Sequence, residues 1–140
     1  MMGIPGSGKS TWIKANRPHA LVCSADHFFM KDGEYRFEPS KISEAQAMCL
    51  RAFTEGAQDG LYDIVVDNTS TSLVELAPYV ALANAYDHEV EIVHVDVAPE
   101  VAAARNVHGV PLKTCERMSL NIKATLSVFP PWWPKPITMK

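Results

Sequence analysis

What this chain has little of narrows its class before any motif is read. Its cysteines number three, Cys23, Cys49 and Cys115, an odd count with no CxxC or metal-ligand spacing. That argues against a disulfide framework and for reduced thiols, so a cytoplasmic location is the expectation. No apolar run approaches the ~20 residues that a membrane-spanning helix requires, and no membrane association is expected. Positive charge is not in excess: 13 Lys and Arg face 16 Asp and Glu, for a net charge of −3. A protein held on nucleic acid by bulk electrostatics has the opposite balance, although a local basic cleft is compatible with this one. Internal repeats and domain-dividing linkers are missing as well. With 140 residues, 47% of them hydrophobic, the chain suits a single core without covalent staples.

What is present alternates. Short apolar runs exchange with helical patterns, which implies an α/β fold with a mainly parallel sheet. Ser10–Asn16 reads as a first helix and His19–Ser24 as a short buried strand ending near Asp26. Lys31–Phe37 reads as a loop or hairpin turning on Asp32–Gly33. From about Lys41 to Gln58 the apolar residues Ile42, Ala45, Met48, Cys49, Ala52 and Phe53 recur at helical intervals. Ile64–Val66 is a buried strand, and Ser72–Glu75 has the form of a capping box opening a helix through Tyr86. Pro78 is expected to kink that helix or delay its start. Val90–Val97 reads as the next strand. Pro99 suits the first turn of a helix to about Asn106, and Leu112–Val128 resumes as helix. The expected organisation is one domain over residues 1–128 and an extended Pro/Trp-rich tail over 129–140. Trp132 and Trp133 in that tail either pack back on the domain, join a homodimer or touch substrate.

The strongest local signal is Gly3–Ser10, GIPGSGKS, which satisfies GxxxxGK[ST]. Glycines let the backbone curl so that successive N–H groups surround phosphate oxygens. The helix that follows adds the partial positive charge of its N-terminus. Gly3, Pro5, Gly6, Ser7, Gly8, Lys9, Ser10 and Thr11 are therefore candidate nucleotide-binding residues. Lys9 is expected to reach the outer phosphates of ATP, and the Ser10 hydroxyl to ligate Mg²⁺. Only Met1 and Met2 precede the turn, so the strand that ordinarily leads into such a loop is expected to be stunted, to lie upstream in the natural polypeptide, or to be replaced by another segment.

Three aspartates, Asp26, Asp67 and Asp96, follow or interrupt strands at the end where α/β sheets bind ligands. Asp26 is a candidate general base for an attacking hydroxyl, or a helix cap, or both. Asp67 ends an apolar strand and is a candidate Mg²⁺ partner, or one half of a turn-forming Asp-Asn pair. Asp96 reads as structural. Arg105, just before the His108–Pro111 loop, is a candidate lid cation for the transferred phosphoryl group, with His108 as a second nucleotide-side candidate. The alternative for Arg105 is a surface arginine at a helix end. Phe28 and Phe29 either stack on a base or close the core under a loop.

Taken in order, Gly3–Thr11 (GIPGSGKST), Ser24–Asp26 with its aromatic followers, Gly33–Phe37 (GEYRF), Val66–Thr69 (VDNT) and Arg105–Pro111 (RNVHGVP) resemble a known family. It is the small AAA-type ATPase/kinase family related to the 5′-polynucleotide kinases of phage and RNA-repair proteins, and the resemblance runs to about Met118. It implies a P-loop kinase fold with a five-stranded parallel sheet, ATP and Mg²⁺ as cofactors, Asp26 as base and Arg105 on the lid. The implied reaction is transfer of the γ-phosphoryl group to a hydroxyl, with a nucleic-acid 5′ end or a nucleotide-like molecule as acceptor. The phage kinases carry an arginine shortly after the base, whereas this chain has His27, Phe28, Phe29 and Met30. Arg36 is the candidate substitute. A small-molecule acceptor, or an ATP-binding switch acting through a protein partner, stays open beside the polynucleotide reading.

Overall fold

The computed structural model describes every residue from Met1 to Lys140. Six strands and six α-helices are arranged along it. The first helix, α1 (Lys9–Asn16), follows the phosphate-type turn, with Gly8 in a left-handed conformation at its N-cap. Strand β1 (Leu21–Cys23) leads into a one-turn helix, α2 (Asp26–Phe29). Two-residue strands β2 (Met30–Lys31) and β3 (Glu34–Tyr35) form the expected antiparallel hairpin. Its turn residues, Asp32 and Gly33, have φ of 52° and 79°, a pairing that matches strand twist.

A single 3₁₀ turn, Pro39–Lys41, feeds α3 (Ile42–Gln58). That helix buries Ala45, Cys49, Phe53 and Ala57, a stripe at helical spacing. After β4 (Ile64–Val66) comes α4 (Leu73–Ala85), opened by the Ser72/Glu75 capping box: the Ser72 amide and hydroxyl both bond the Glu75 carboxylate at 2.9 Å. Pro78 neither ends nor delays α4, which runs through it. Strand β5 (Val93–Val95), helices α5 (Pro99–Arg105) and α6 (Leu112–Ser127), and β6 (Ile137–Met139) complete the chain.

Strand β1 pairs with β4 and β5 with β6, both in parallel. Between β4 and β5 lies the N-terminal segment. The Met1 ammonium donates to the Val66 carbonyl at 3.0 Å. Met2 donates to Val93 at 2.7 Å and accepts from Val95 at 2.9 Å, and Gly3 donates to Thr69 at 3.0 Å. Hydrogen bonds from these three residues bridge the two pairs. Behind them, toward the N-terminal ends of the strands, is a cavity of about 190 Å³. Trp12, Phe53, Ile64, Tyr79, Val90 and Ile92 are among its walls. The strand expected over Val90–Val97 is correspondingly short. Val90–Ile92 border this space and have no strand on that flank to pair with.

The tail is not merely extended. Its last residues form β6, with Ile137 donating to Ile92 at 2.9 Å and Asp96 donating to Met139 at 2.8 Å. Trp133 packs edge-on against Phe129 and into the core, while Trp132 is 81% exposed. Two buried clusters hold the layers together. One joins Met2 and Ile4 to α4, α5 and α6 through Leu76, Ala102, Cys115 and Ile122. The other joins β1 and α2 to α3 through Cys23, Phe29, Cys49 and Phe53. Burying a side chain the size of Phe29 contributes on the order of 2–3 kcal/mol. No helix is long and apolar enough to cross a membrane.

Candidate phosphoryl-transfer site

The turn from Gly3 to Gly8 takes φ values that only glycine adopts freely: 155°, 80° and 101° at Gly3, Gly6 and Gly8. Gly6 is fixed by contact as well, because a Cβ there would run into the carbonyl oxygen of Ala102. The phosphate turn thus rests on the last turns of α5. Lys9 is buried and curls back across the loop, donating to the carbonyls of Gly3 at 2.9 Å and Ile4 at 3.2 Å. Burial pushes its ammonium below the usual lysine range, while Asp67 and then Asp26 pull it back up. Ser7 is buried with a hydroxyl that has no hydrogen-bond partner, an orphaned polar atom within the loop.

Opposite the loop, Ser10 donates to Asp67 at 2.8 Å. The sequence placed Asp67 at the end of β4, and its amide is anchored there on the Cys23 carbonyl at 2.8 Å. Asp26 opens α2, and the Ser24 hydroxyl accepts from its amide at 3.2 Å. The neighbouring Ala25 amide donates to the Asn68 side chain at 2.9 Å. Asn68 reaches on to the Cys49 sulfur at 3.4 Å, so the VDNT segment ties α2 to α3. Asp67 and, more weakly, Asp26 both favour the charged form of Lys9, so the metal candidate and the base candidate are within electrostatic reach of one cation.

Other candidates fall differently. Arg105 ends α5 exposed, with no hydrogen bond or ion pair to the site. His108 stands against Asp26, its Nε2 3.7 Å from Oδ2. Arg36 is engaged by Glu34 of its own hairpin at 2.9 Å. Phe29 is 2% exposed and belongs to the core, set edge-on to Phe28 at 5.2 Å and to Phe37 at 5.0 Å. Pro5, within the loop, and Thr11, just after it, make no side-chain hydrogen bond.

Tyr35 and Asn68 were not singled out by sequence reasoning. Tyr35 donates its hydroxyl to Asp26 Oδ1 at 3.1 Å. Burial first, and then the Asp26 carboxylate, push that phenol up to about 12. The signal for Tyr35 was its place in GEYRF, where only the turn and Arg36 drew notice. For Asn68 it was the pairing with Asp67, which reads equally well as a turn.

A glycine-lined turn, a buried lysine and a serine–aspartate pair at a strand end define a P-loop NTPase-like α/β domain. Comparison with known proteins agrees: the chain belongs to the AAA domain family, which matches residues 1–108. Among curated proteins it is similar to human NEDD4-binding protein 2, 30% identical over 135 residues. The similarity covers 91% of this chain and 8% of that protein, so the chain spans a small part of that relative's length.

Proposed function

We propose that this protein is an ATP-dependent kinase that passes a γ-phosphoryl group to a hydroxyl, most simply the 5′-hydroxyl of RNA, DNA or a nucleotide-like molecule. The observation that carries it is the company of Lys9: the field of its buried ammonium is shared by the Ser10-bonded Asp67 and by a second, independently held carboxylate, Asp26. A nucleotide-binding switch needs the first and has no use for the second.

The residues present fit ATP and Mg²⁺. The unpartnered Ser7 hydroxyl and the curled turn suit an anion, and two adjacent oxygen donors suit a hard cation that keeps most of its water. Bound there, ATP–Mg²⁺ supplies the electrophilic phosphorus and ADP as leaving group. Lys9, released from its carbonyl partners, would meet the outer phosphates, and Ser10 and Asp67 would hold the cation. Asp26 would accept the proton as the acceptor's O–H bond breaks and its O–P bond forms, the γ-phosphorus parting from the ADP oxygen. Arg105, exposed at the end of the helix that supports Gly6, would be the candidate to bring positive charge to the γ-phosphoryl group. In this reading Met1–Met2 is the short middle strand of a five-stranded parallel sheet in the order β1, β4, Met1–Met2, β5, β6.

A small-molecule acceptor is the second reading, favoured by one observation: the first arginine after Asp26 in sequence, Arg36, lies on the hairpin in an exposed pair with Glu34 and makes no ion pair with Asp26. Labelled transfer from ATP to a panel of 5′-hydroxyl oligonucleotides, nucleosides and metabolites separates the two. A labelled oligonucleotide whose affinity falls steeply with salt supports the polymer. A labelled small molecule with a flat salt response supports the metabolite, and no labelled acceptor in a broad panel would count against a kinase.

A further inference from the structure

Three elements converge on Asp26 that the reaction as described does not use: the β2–β3 hairpin through Tyr35, the Asn106–Pro111 loop through His108, and the aromatic cluster beneath them. The Tyr35 hydroxyl holds Oδ1 at 3.1 Å. The His108 ring lies on the Tyr35 ring, centroids 3.8 Å apart and planes 34° from parallel, and its Nε2 faces Oδ2 at 3.7 Å. That last distance is beyond hydrogen-bond reach, and the Asp26 side chain is 52% exposed, so Oδ2 is flanked by the imidazole on one side and left unbonded. Tyr35 itself is held from behind. Phe29 meets it edge-on at 6.2 Å, and Phe37 lies parallel to it at 6.4 Å. Phe29, at 2% exposure, gives that backing a rigid floor. The Arg36 amide donates to the Phe29 carbonyl at 2.9 Å and pins the hairpin to α2.

The two carboxylate oxygens are therefore unlike. Oδ1 already accepts a hydrogen bond from a group that stays protonated across the working pH range. Oδ2 is the one left to take a proton, and an imidazole stands on one side of the approach to it. We propose that Tyr35 and His108 form an acceptor-side latch on Asp26, in which Tyr35 positions the carboxylate and His108 flanks the oxygen that the acceptor hydroxyl must reach. This rests on the kinase reading and on Asp26 as its base. An acceptor that enters on the His108 side has to displace the imidazole from the Tyr35 ring. His108 belongs to the acceptor side, not to the nucleotide side where its place beside Arg105 in the sequence suggested.

Steady-state transfer to the best acceptor, with ATP affinity measured separately, tests this with Asp26→Asn, Tyr35→Phe and His108→Ala. Tyr35→Phe keeps the ring and its packing but loses the hydroxyl. It should lower kcat by about tenfold or more while leaving the ATP Kd and the melting temperature near wild type. His108→Ala should lower the acceptor KM by about threefold, the worth of a weak ring–ring contact, with the ATP KM unmoved. In NMR spectra the His108 ring protons should lie upfield in wild type and in Tyr35→Phe, and should move downfield in Tyr35→Leu. If Asp26→Asn abolishes transfer but Tyr35→Phe works at the wild-type rate, the latch is wrong and the kinase reading stands. A raised ATP KM in His108→Ala would return that residue to the nucleotide side and also overturn the latch. If Asp26→Asn leaves transfer intact, the base assignment fails and the latch with it.

Discussion

Replacing Gly6 by alanine separates two costs that usually arrive together at a phosphate turn. Gly6 and Gly8 both sit at positive φ, +80° and +101°, where a Cβ strains the backbone. That strain costs about 1–2 kcal/mol at either position. Only Gly6 has backbone in the way: its Cβ would meet the Ala102 carbonyl oxygen and lie 2.9 Å from the Asn106 nitrogen, whereas a Cβ on Gly8 meets nothing within 4 Å. Neither obstacle is a flexible side-chain end, so the turn must part from α5. Forced repacking of that kind adds roughly 1–3 kcal/mol. Gly8→Ala should therefore lose about 1–2 kcal/mol and Gly6→Ala about 2–5 kcal/mol. Urea unfolding with a common m-value reads the difference directly. If the two variants unfold at the same urea concentration, α5 does not buttress the phosphate turn and the placement of Arg105 beside it loses its support.

Three other outcomes follow from the packing. Cys23, Cys49 and Cys115 are all buried, and burial pushes the Cys23 thiol up to about 11; a disulfide-exchange reagent at pH 8 should label none of them until the protein is unfolded, and prompt labelling of one would place it at the surface. Removing residues 136–140 takes away β6 and its bonds from Ile137 to Ile92 and from Asp96 to Met139, which should lower Tm by roughly 3–6 °C; an unchanged Tm would mean that the tail is not part of the sheet in solution. Placing about six apolar β-forming residues ahead of Met1 should fill the 190 Å³ cavity between β4 and β5 and raise Tm by roughly 5 °C. No rise would show that the space does not accept a strand.

Much of the site was legible because its residues are fixed by local chemistry. The Gly3–Ser10 spacing names a phosphate loop, and an aspartate directly after Ile64–Val66 has to lie at the end of a strand. The Asp32–Gly33 turn and the Ser72/Glu75 cap formed as their residue types demand. What was hidden depends on contacts far apart in sequence. His108 joined Arg105 in the expectation because both lie in one motif, yet its position is decided by Tyr35, a residue on a hairpin from another part of the chain. The tail's proline content argued for an extended segment, and an extended segment is also what can add to a strand edge. Only the exposed edge of β5, invisible in the tail's own composition, decides between those outcomes. Pro78 was expected to disturb α4. Its neighbours Leu76 and Val80 are buried, and that packing outweighs one missing backbone bond.

The central claim is that Asp26 is a base in phosphoryl transfer and not a structural cap. The measurement that tests it most directly is single-turnover transfer of labelled γ-phosphate by Asp26→Ala, with ATP–Mg²⁺ binding to the same preparation measured by calorimetry. The account predicts binding within about threefold of wild type and a transfer rate lowered by 10²-fold or more. Transfer at the wild-type rate with binding intact would contradict it, and would leave the chain a nucleotide-binding domain whose chemistry lies elsewhere.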